Sequence, residues 1–262
     1  MTRRLLLVAL ALFGAGAAQA QPREMVASAH PLATEAGLTA LRNGGTAMDA
    51  AVAVQMALGV VEPQSSGLSG GGFLLYYDAT SRAITAYDGR ETAPAGATST
   101  MFLGTDGKPL PFREAVASGI SVGVPGAVAL LELAHKEHGK LPWRELFAPA
   151  IGIARDGFAI SPRLAAWLAL ITSFGRDPGA RSIYYAPDGS PLKQGDRVLN
   201  PALADTLQQV ADNGVKVLQD GALAQEMVAR VRGHARPGTL SLADLADYKP
   251  IKREPLCGPY RV

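Results

Sequence analysis

The stretch GLSGGGFLLYYDATSRAITAYDGRE, residues 67–91, constrains this chain more than any other. It opens on a dense glycine run, Gly67 and then Gly70 to Gly72. Glycine accepts backbone angles closed to other residues and lets a second backbone come close. An apolar run follows at 73–77, a polar break at 78–82 and a second strand-like run at 83–87. The pattern predicts a β-hairpin with an irregular loop. That hairpin would deliver Asp88, Gly89, Arg90 and Glu91 to the end of its second strand. Sites are often built at such places, where a rigid scaffold carries a loop. Arginine offers a planar fork that holds a carboxylate by two parallel hydrogen bonds. A structural salt bridge from Arg90 to Glu91 or Asp88 is the competing reading.

The rest of the chain reads mostly as helices. Residues 25–29 suggest a short strand. Ser28 or His30 can cap a helix beginning at Pro31, a favoured first position, with Leu32, Ala36 and Ala40 on one face. Asn43-Gly44-Gly45 ends it. Thr46 then caps a second helix, 47 to about 60, with Asp49 three residues on. This helix is apolar almost all round, which predicts burial, behind the hairpin. Residues 92–113 should wrap the surface, and 118–124 resemble a strand that Pro125-Gly126 turns into a helix over 127–138. Further helices are expected over 144–155, from Ser161-Pro162, from Asn200-Pro201 to Asn213-Gly214, over 222–231 and over 242–247. Residues 174–198 read as a long loop, and 256–262 as the start of a strand. A hairpin followed by many helices predicts an α+β or layered α/β fold.

The chain has 262 residues, 48% of them hydrophobic, enough for a sizeable core. Thr2-Arg3-Arg4, an apolar run over 5–18 and Ala18-Gln19-Ala20 have the form of an export signal, with cleavage after Ala20. The run is shorter than the roughly 20 residues that span a bilayer. Without Arg3 and Arg4, basic and acidic residues balance at 23 each. No basic cluster points to nucleic acid, and once the signal is removed no segment points to a membrane. A periplasmic or secreted location is expected. The single cysteine, Cys257, precludes an internal disulfide and reads as a small packing residue.

Four other features invite a chemical reading. Gly67-Leu68-Ser69-Gly70-Gly71 matches the G-x-S-x-G elbow of serine hydrolases, but that motif needs a strand before it and a helix after it. Here the order is inverted, which favours an ordinary loop serine. His135 and His138, with Glu132 one turn earlier, could share a metal. One such pair falls short of a di-iron set, and basic residues suit a helix C-terminus. The turn at Gly123 to Gly126 could face a phosphate at a helix N-terminus but lacks phosphate-loop spacing, so a tight strand-to-helix turn is the default. His30 reads as a cap and His234 as an exposed turn residue.

The segments PQSSGLSGGGFLLYYD (63–78) and DGRETAP (88–94) resemble the γ-glutamyltranspeptidase family of N-terminal nucleophile hydrolases. NGGTAMDAAVA (43–53), VGVPGAV (122–128), NPALADTLQQVADNG (200–214) and DLADYKPIKREPLCGPYRV (244–262) are similar pieces in the same order. The resemblance implies part of a four-layer αββα sandwich, with residues 21–262 forming an incomplete large-subunit domain behind a signal at 1–20. It implies γ-glutamyl transfer or hydrolysis, on glutathione and related amides, through an acyl-enzyme on a threonine freed by self-cleavage. That threonine is not in this chain, so the chain alone is expected to be inactive and to need a small subunit from the same precursor. Arg90 would hold the α-carboxylate of the γ-glutamyl group, and Glu91 is the second candidate for substrate binding. No metal or organic cofactor is implied. The alternatives are a related acylase acting on glutaryl or cephalosporin-type amides, and a truncated chain without catalysis.

Overall fold

The computed structural model describes residues 24–261; the expected export signal at 1–20 lies outside them. His30 accepts the Leu32 amide on Nδ1 at 3.2 Å and so starts α1 (Pro31–Arg42). Its buried stripe is Ala33, Ala36, Gly37 and Ala40, and Leu32 points outward. Residues 25–29 form no strand; Val26 instead packs its side chain on the core. Thr46 and Asp49 close a reciprocal capping box at the start of α2 (Ala47–Val61), satisfying orphan amides of the first turn. Met48, Val52, Ala53, Met56, Ala57 and Val60 bury α2 as its composition predicts.

The hairpin follows as β1 (Gly72–Asp78) and β2 (Ala83–Gly89), antiparallel, with Leu75 opposite Ala86. The wrapping segment contains a short α3 (Phe112–Val116). The expected strand at 118–124 is a 3-10 turn, Gly119–Ser121, and a single bridge from Val124 to Thr92. Its amides find isolated partners: Gly119 donates to the Arg236 carbonyl and Val124 to that of Thr92. Next come α4 (Ala127–His138), a 3-10 turn leading into α5 (Ala148–Asp156), and β3 (Phe158–Ala159). The expected loop at 174–198 contains, after α6 (Pro162–Leu170), a further helix, α7 (Pro178–Tyr184). Asp177 caps α7 and Pro178 starts it, a signal the loop-like composition obscured. The chain continues through β4 (Arg197–Val198), which pairs with β3, then α8 (Pro201–Asn213), α9 (Lys216–Gln219), α10 (Ala222–Arg232) and α11 (Leu242–Asp247).

The last strand, β5 (Ile251–Arg253), precedes the place where the sequence suggested one. Pro255 and Pro259 lack the amide a ladder needs, and residues 256–261 carry no strand. Cys257 is exposed there and packs nothing, contrary to expectation. β5 pairs antiparallel with β2, giving the order β1-β2-β5. Helices cover one face of this sheet, an α+β arrangement in layers. Leu74, Tyr76 and Tyr87 face α4 and the core, whereas Phe73, Leu75, Tyr77, Ile84 and Ile251 are exposed on the other face. It is α4, more than α2, that lies directly behind the hairpin, and α2 packs behind α4. The other side of α4 meets a smaller cluster of Val124, Leu240, Leu245 and Tyr248 through Ala129. No helix among the described residues is long and apolar enough to cross a membrane.

Two polar clamps hold these layers. Asp49 is fully buried; it accepts the Lys140 amide at 3.0 Å and meets His135 Nε2 at 3.1 Å. Thr46 donates to the His138 carbonyl at 2.9 Å, so the start of α2 is tied to the end of α4. The second clamp fastens α4 to the sheet. Tyr87 donates to Glu137 Oε2 at 2.5 Å and lies 2.6 Å from His138 Nε2. Lys252 on β5 reaches Glu137 at 2.9 Å, and the His138 ring stacks on Tyr76 at 3.9 Å. The Tyr87 hydrogen bond, and after it Lys252, holds the Glu137 carboxyl below its ordinary value.

Truncating Asp49 to alanine leaves the Thr46 and Lys140 amides without their acceptor and takes one partner from His135, which keeps the Leu141 carbonyl. Urea unfolding should show a loss of about 1–3 kcal/mol. For the second clamp the sign follows from a depressed carboxylate. Its contribution is present above the unfolded glutamate value of about 4.3 and fades as pH falls through the lower folded value. Tyr87→Phe should cost about 1 kcal/mol at neutral pH and make stability depend less on pH in the acid limb. Unfolding curves between pH 3 and 7 would read both effects.

Candidate active site

The glycine run is fixed by backbone contacts. The Gly70 carbonyl accepts the amides of Gly126 at 3.0 Å and Ala127 at 2.9 Å, at the start of α4. The helix N-terminus therefore bonds a neighbouring loop; the turn at 123–126 leads into α4 as expected, but from a single bridge at Val124 and not from a strand. A Cβ on Gly71 would stand 2.6 Å from the Gly89 carbonyl and 2.8 Å from the Glu91 amide. A Cβ on Gly126 would collide with the Gly89 carbonyl and the Tyr248 hydroxyl. Only glycine permits these approaches.

Arg90 leaves this crossing as the first residue past β2. Its carbonyl accepts the Tyr248 hydroxyl at 2.8 Å and its amide donates to Asp88 Oδ1 at 3.0 Å. The guanidinium lies 3.1 Å from Glu91 Oε2 and donates to the Gly71 carbonyl at 3.3 Å. Glu91 Oε2 is near enough for an ion pair but accepts no well-angled hydrogen bond and is buried. The charge contact is genuine, and the angle leaves the guanidinium only loosely held. Asp88 is instead taken by Arg253 at 2.6 Å. The Arg90 amide, and then Arg253, keeps the Asp88 carboxyl below its usual range. The structural salt bridge is thus present, and the Arg90 side chain still stays 53% exposed despite Glu91.

Arg90 and Glu91 line an open cleft of about 470 Å³ together with Gln64, Ser65, Ser66 and Ser69. One arginine among hydroxyls and glycine backbone suits a carboxylate-bearing ligand. An apolar groove of about 470 Å³ adjoins it, sharing Gly67 and Ser69 and walled by Leu203, Leu223 and Met227.

The other candidates fall elsewhere. Ser69 is exposed in the cleft wall, and the histidines that a serine nucleophile would need are engaged away from it. His30 caps α1, His135 meets Asp49, His138 meets Tyr87, and His234 accepts the Arg236 amide in an exposed turn. His135, His138 and Glu132 do not converge, since Glu132 pairs with Lys136. The two histidines do more than suit a helix dipole: each is a clamp between layers. Among the described residues no group of three or more metal-ligating side chains is placed to hold an ion. No local signal pointed to Tyr248, whose hydroxyl holds the Arg90 backbone, nor to the Glu62 and Arg163 contacts to the cleft lining.

The Gamma-glutamyltranspeptidase family model matches residues 33–262. The glutathione hydrolase proenzyme of Bacillus subtilis is 40% identical over 237 residues, covering 90% of this chain. The chain spans 40% of that relative's length. The crystal structure of Helicobacter pylori gamma-glutamyltranspeptidase superposes with a TM-score of 0.86 at 34% identity, covering 91% of this chain and 67% of that one. A cephalosporin acylase from Bacillus halodurans superposes at 0.73 with 30% identity, covering 88% of this chain and 43% of that one. The fold is that of the N-terminal nucleophile hydrolases, with helices on one face of the three-stranded sheet among the described residues. The chain belongs to the gamma-glutamyltranspeptidase family.

Proposed function

We propose that this chain is the large-subunit portion of an exported γ-glutamyltransferase or glutathione hydrolase, and that Arg90 holds the α-carboxylate of the γ-glutamyl group. The observation that carries this reading is the half-exposed Arg90 guanidinium, fixed at its backbone and opening onto a polar cleft. Glu91 pairs with that guanidinium from beside it.

In this reading the nucleophile is a threonine at the new N-terminus of a small subunit from the same precursor. Its own α-amine takes the hydroxyl proton, which activates an otherwise weak nucleophile. The oxygen attacks the γ-carbonyl, backbone donors stabilise the oxyanion, and the amine leaves with the proton. Water or an acceptor amine then attacks the ester and restores the hydroxyl. With the carboxylate held by Arg90, the carbonyl stands in a fixed position for attack. The bare outer face of the sheet supports a small-subunit partner, because a contiguous apolar patch of this kind marks an interface. Processing and a periplasmic or secreted location belong to the same proposal.

The likeness to the cephalosporin acylase supports a second reading, hydrolysis of glutaryl or related amides on the same scaffold. Rates on γ-glutamyl and glutaryl p-nitroanilides separate the two.

In the complete proenzyme, Arg90→Lys should raise KM for γ-glutamyl-p-nitroanilide and leave self-cleavage intact. Because Arg90 is half exposed, the loss should fall near the low end of the roughly 2–5 kcal/mol seen for hydrogen-bonded charge pairs. An unchanged KM would assign Arg90 to structure alone. Residues 21–262 by themselves should show no hydrolysis; turnover by that piece would place a nucleophile within it and return Ser69 to consideration.

A further inference from the structure

Glu62 sits at the C-terminal cap of α2, 1% exposed, at the negative end of the helix dipole. Burial and dipole both disfavour a carboxylate here. A buried ion pair is in general no better for stability than a well-packed apolar pair. The residue organises the loop that follows it, Ser65 and Ser66 through its backbone and Gln64 through its carboxylate. Its backbone carbonyl accepts the amides of Ser65 at 2.9 Å and Ser66 at 3.0 Å. Its side chain accepts the Gln64 amide group on Oε2 at 2.7 Å. Since a carboxylate only accepts, this contact also decides which way the Gln64 amide points. Gln64, Ser65 and Ser66 line the same cleft as Arg90, and each is bonded to Glu62.

The counter-charge comes from about a hundred residues along the chain. Arg163, in the first turn of α6, places Nη1 2.9 Å from Glu62 Oε2 and donates from Nη2 to Ser65 Oγ at 3.1 Å. One guanidinium thus holds both the carboxylate and the loop around it. Its side chain is 57% exposed, so the helix can lose it without opening a cavity. Neither Glu62 nor Arg163 lines the cleft.

We propose that Glu62 and Arg163 are positioning residues for ligand binding: through Gln64 and Ser65 they set the cleft lining that accompanies Arg90, and thereby the affinity for the γ-glutamyl head. The inference rests on the reading of the cleft given above. The test uses the complete proenzyme with γ-glutamyl-p-nitroanilide. Arg163→Ala should raise KM about tenfold while kcat stays within about twofold, the mark of lost binding common to ground and transition state. Arg163→Lys keeps a cation for Glu62 without the fork that also serves Ser65, so it should recover part of the loss. Glu62→Gln should move KM in the same direction. Hydrogen exchange gives a second readout: the Ser65 and Ser66 amides should exchange faster in Arg163→Ala, with the α2 core unchanged.

Arg90→Lys is the control for the site itself. If it raises KM and Arg163→Ala does not, the positioning role is overturned and the site stands. If neither raises KM, the reading of the cleft fails and this inference falls with it. If Arg163→Ala lowers kcat, KM and folded yield together, and Arg163→Lys restores nothing, the pair acts on stability and the proposal is overturned.

Discussion

Three backbone segments meet at Gly71, Gly89 and Gly126 with no side chains between them, and the shape of the cleft depends on that meeting. The glycine run can lie against the end of β2 only because Gly71 carries nothing. The start of α4 can bond the Gly70 carbonyl only because Gly126 carries nothing. Arg90 leaves this junction at a point where its backbone cannot shift, held by Asp88 on one side and Tyr248 on the other. Its long side chain is free to meet a ligand, and its base is not. Fixing the base of the side chain in this way spares a ligand part of the cost of ordering the arginine.

The buried carboxylates mark the two ends of α2. Asp49 at the N-terminus lies where a negative charge suits the helix dipole, and it ties α2 to α4. Glu62 lies at the opposite end, where the dipole opposes it, and it ties α2 to the cleft loop and α6. The same helix thus carries one carboxylate whose local electrostatics account for it and one whose surroundings have to.

Much of this was legible in the sequence. The glycine run with its hairpin, the Thr46-Asp49 cap, the helix over 127–138 and the caps at Asn200 and Ser241 are local signals, decided by neighbours in the chain. Arg90 stood out because a charged residue followed a strand end. What failed was decided at a distance. Residues 118–124 look extended but find only scattered partners, and β5 takes its place by pairing with β2. Asp177-Pro178 did carry a helix start, masked by the glycines and prolines around it. Tyr248 reaches Arg90 from 158 residues away, and Arg163 reaches Glu62 from across the fold. No spacing rule in a single sequence announces such contacts.

The strand over 73–77 is apolar at every position, the pattern of a strand covered on both faces, yet helices cover only one. β1 also lies at the edge of its sheet, with an open row of amides and carbonyls beside Phe73, Leu75 and Tyr77. An uncovered apolar plane next to an unpaired edge is a template for a second copy of itself. Any polypeptide that leaves this face bare would be expected to self-associate as its concentration rises. Covering the sheet is therefore a condition for staying in solution as well as for chemistry, and the order in which the face forms and is covered would govern how much folded protein is recovered.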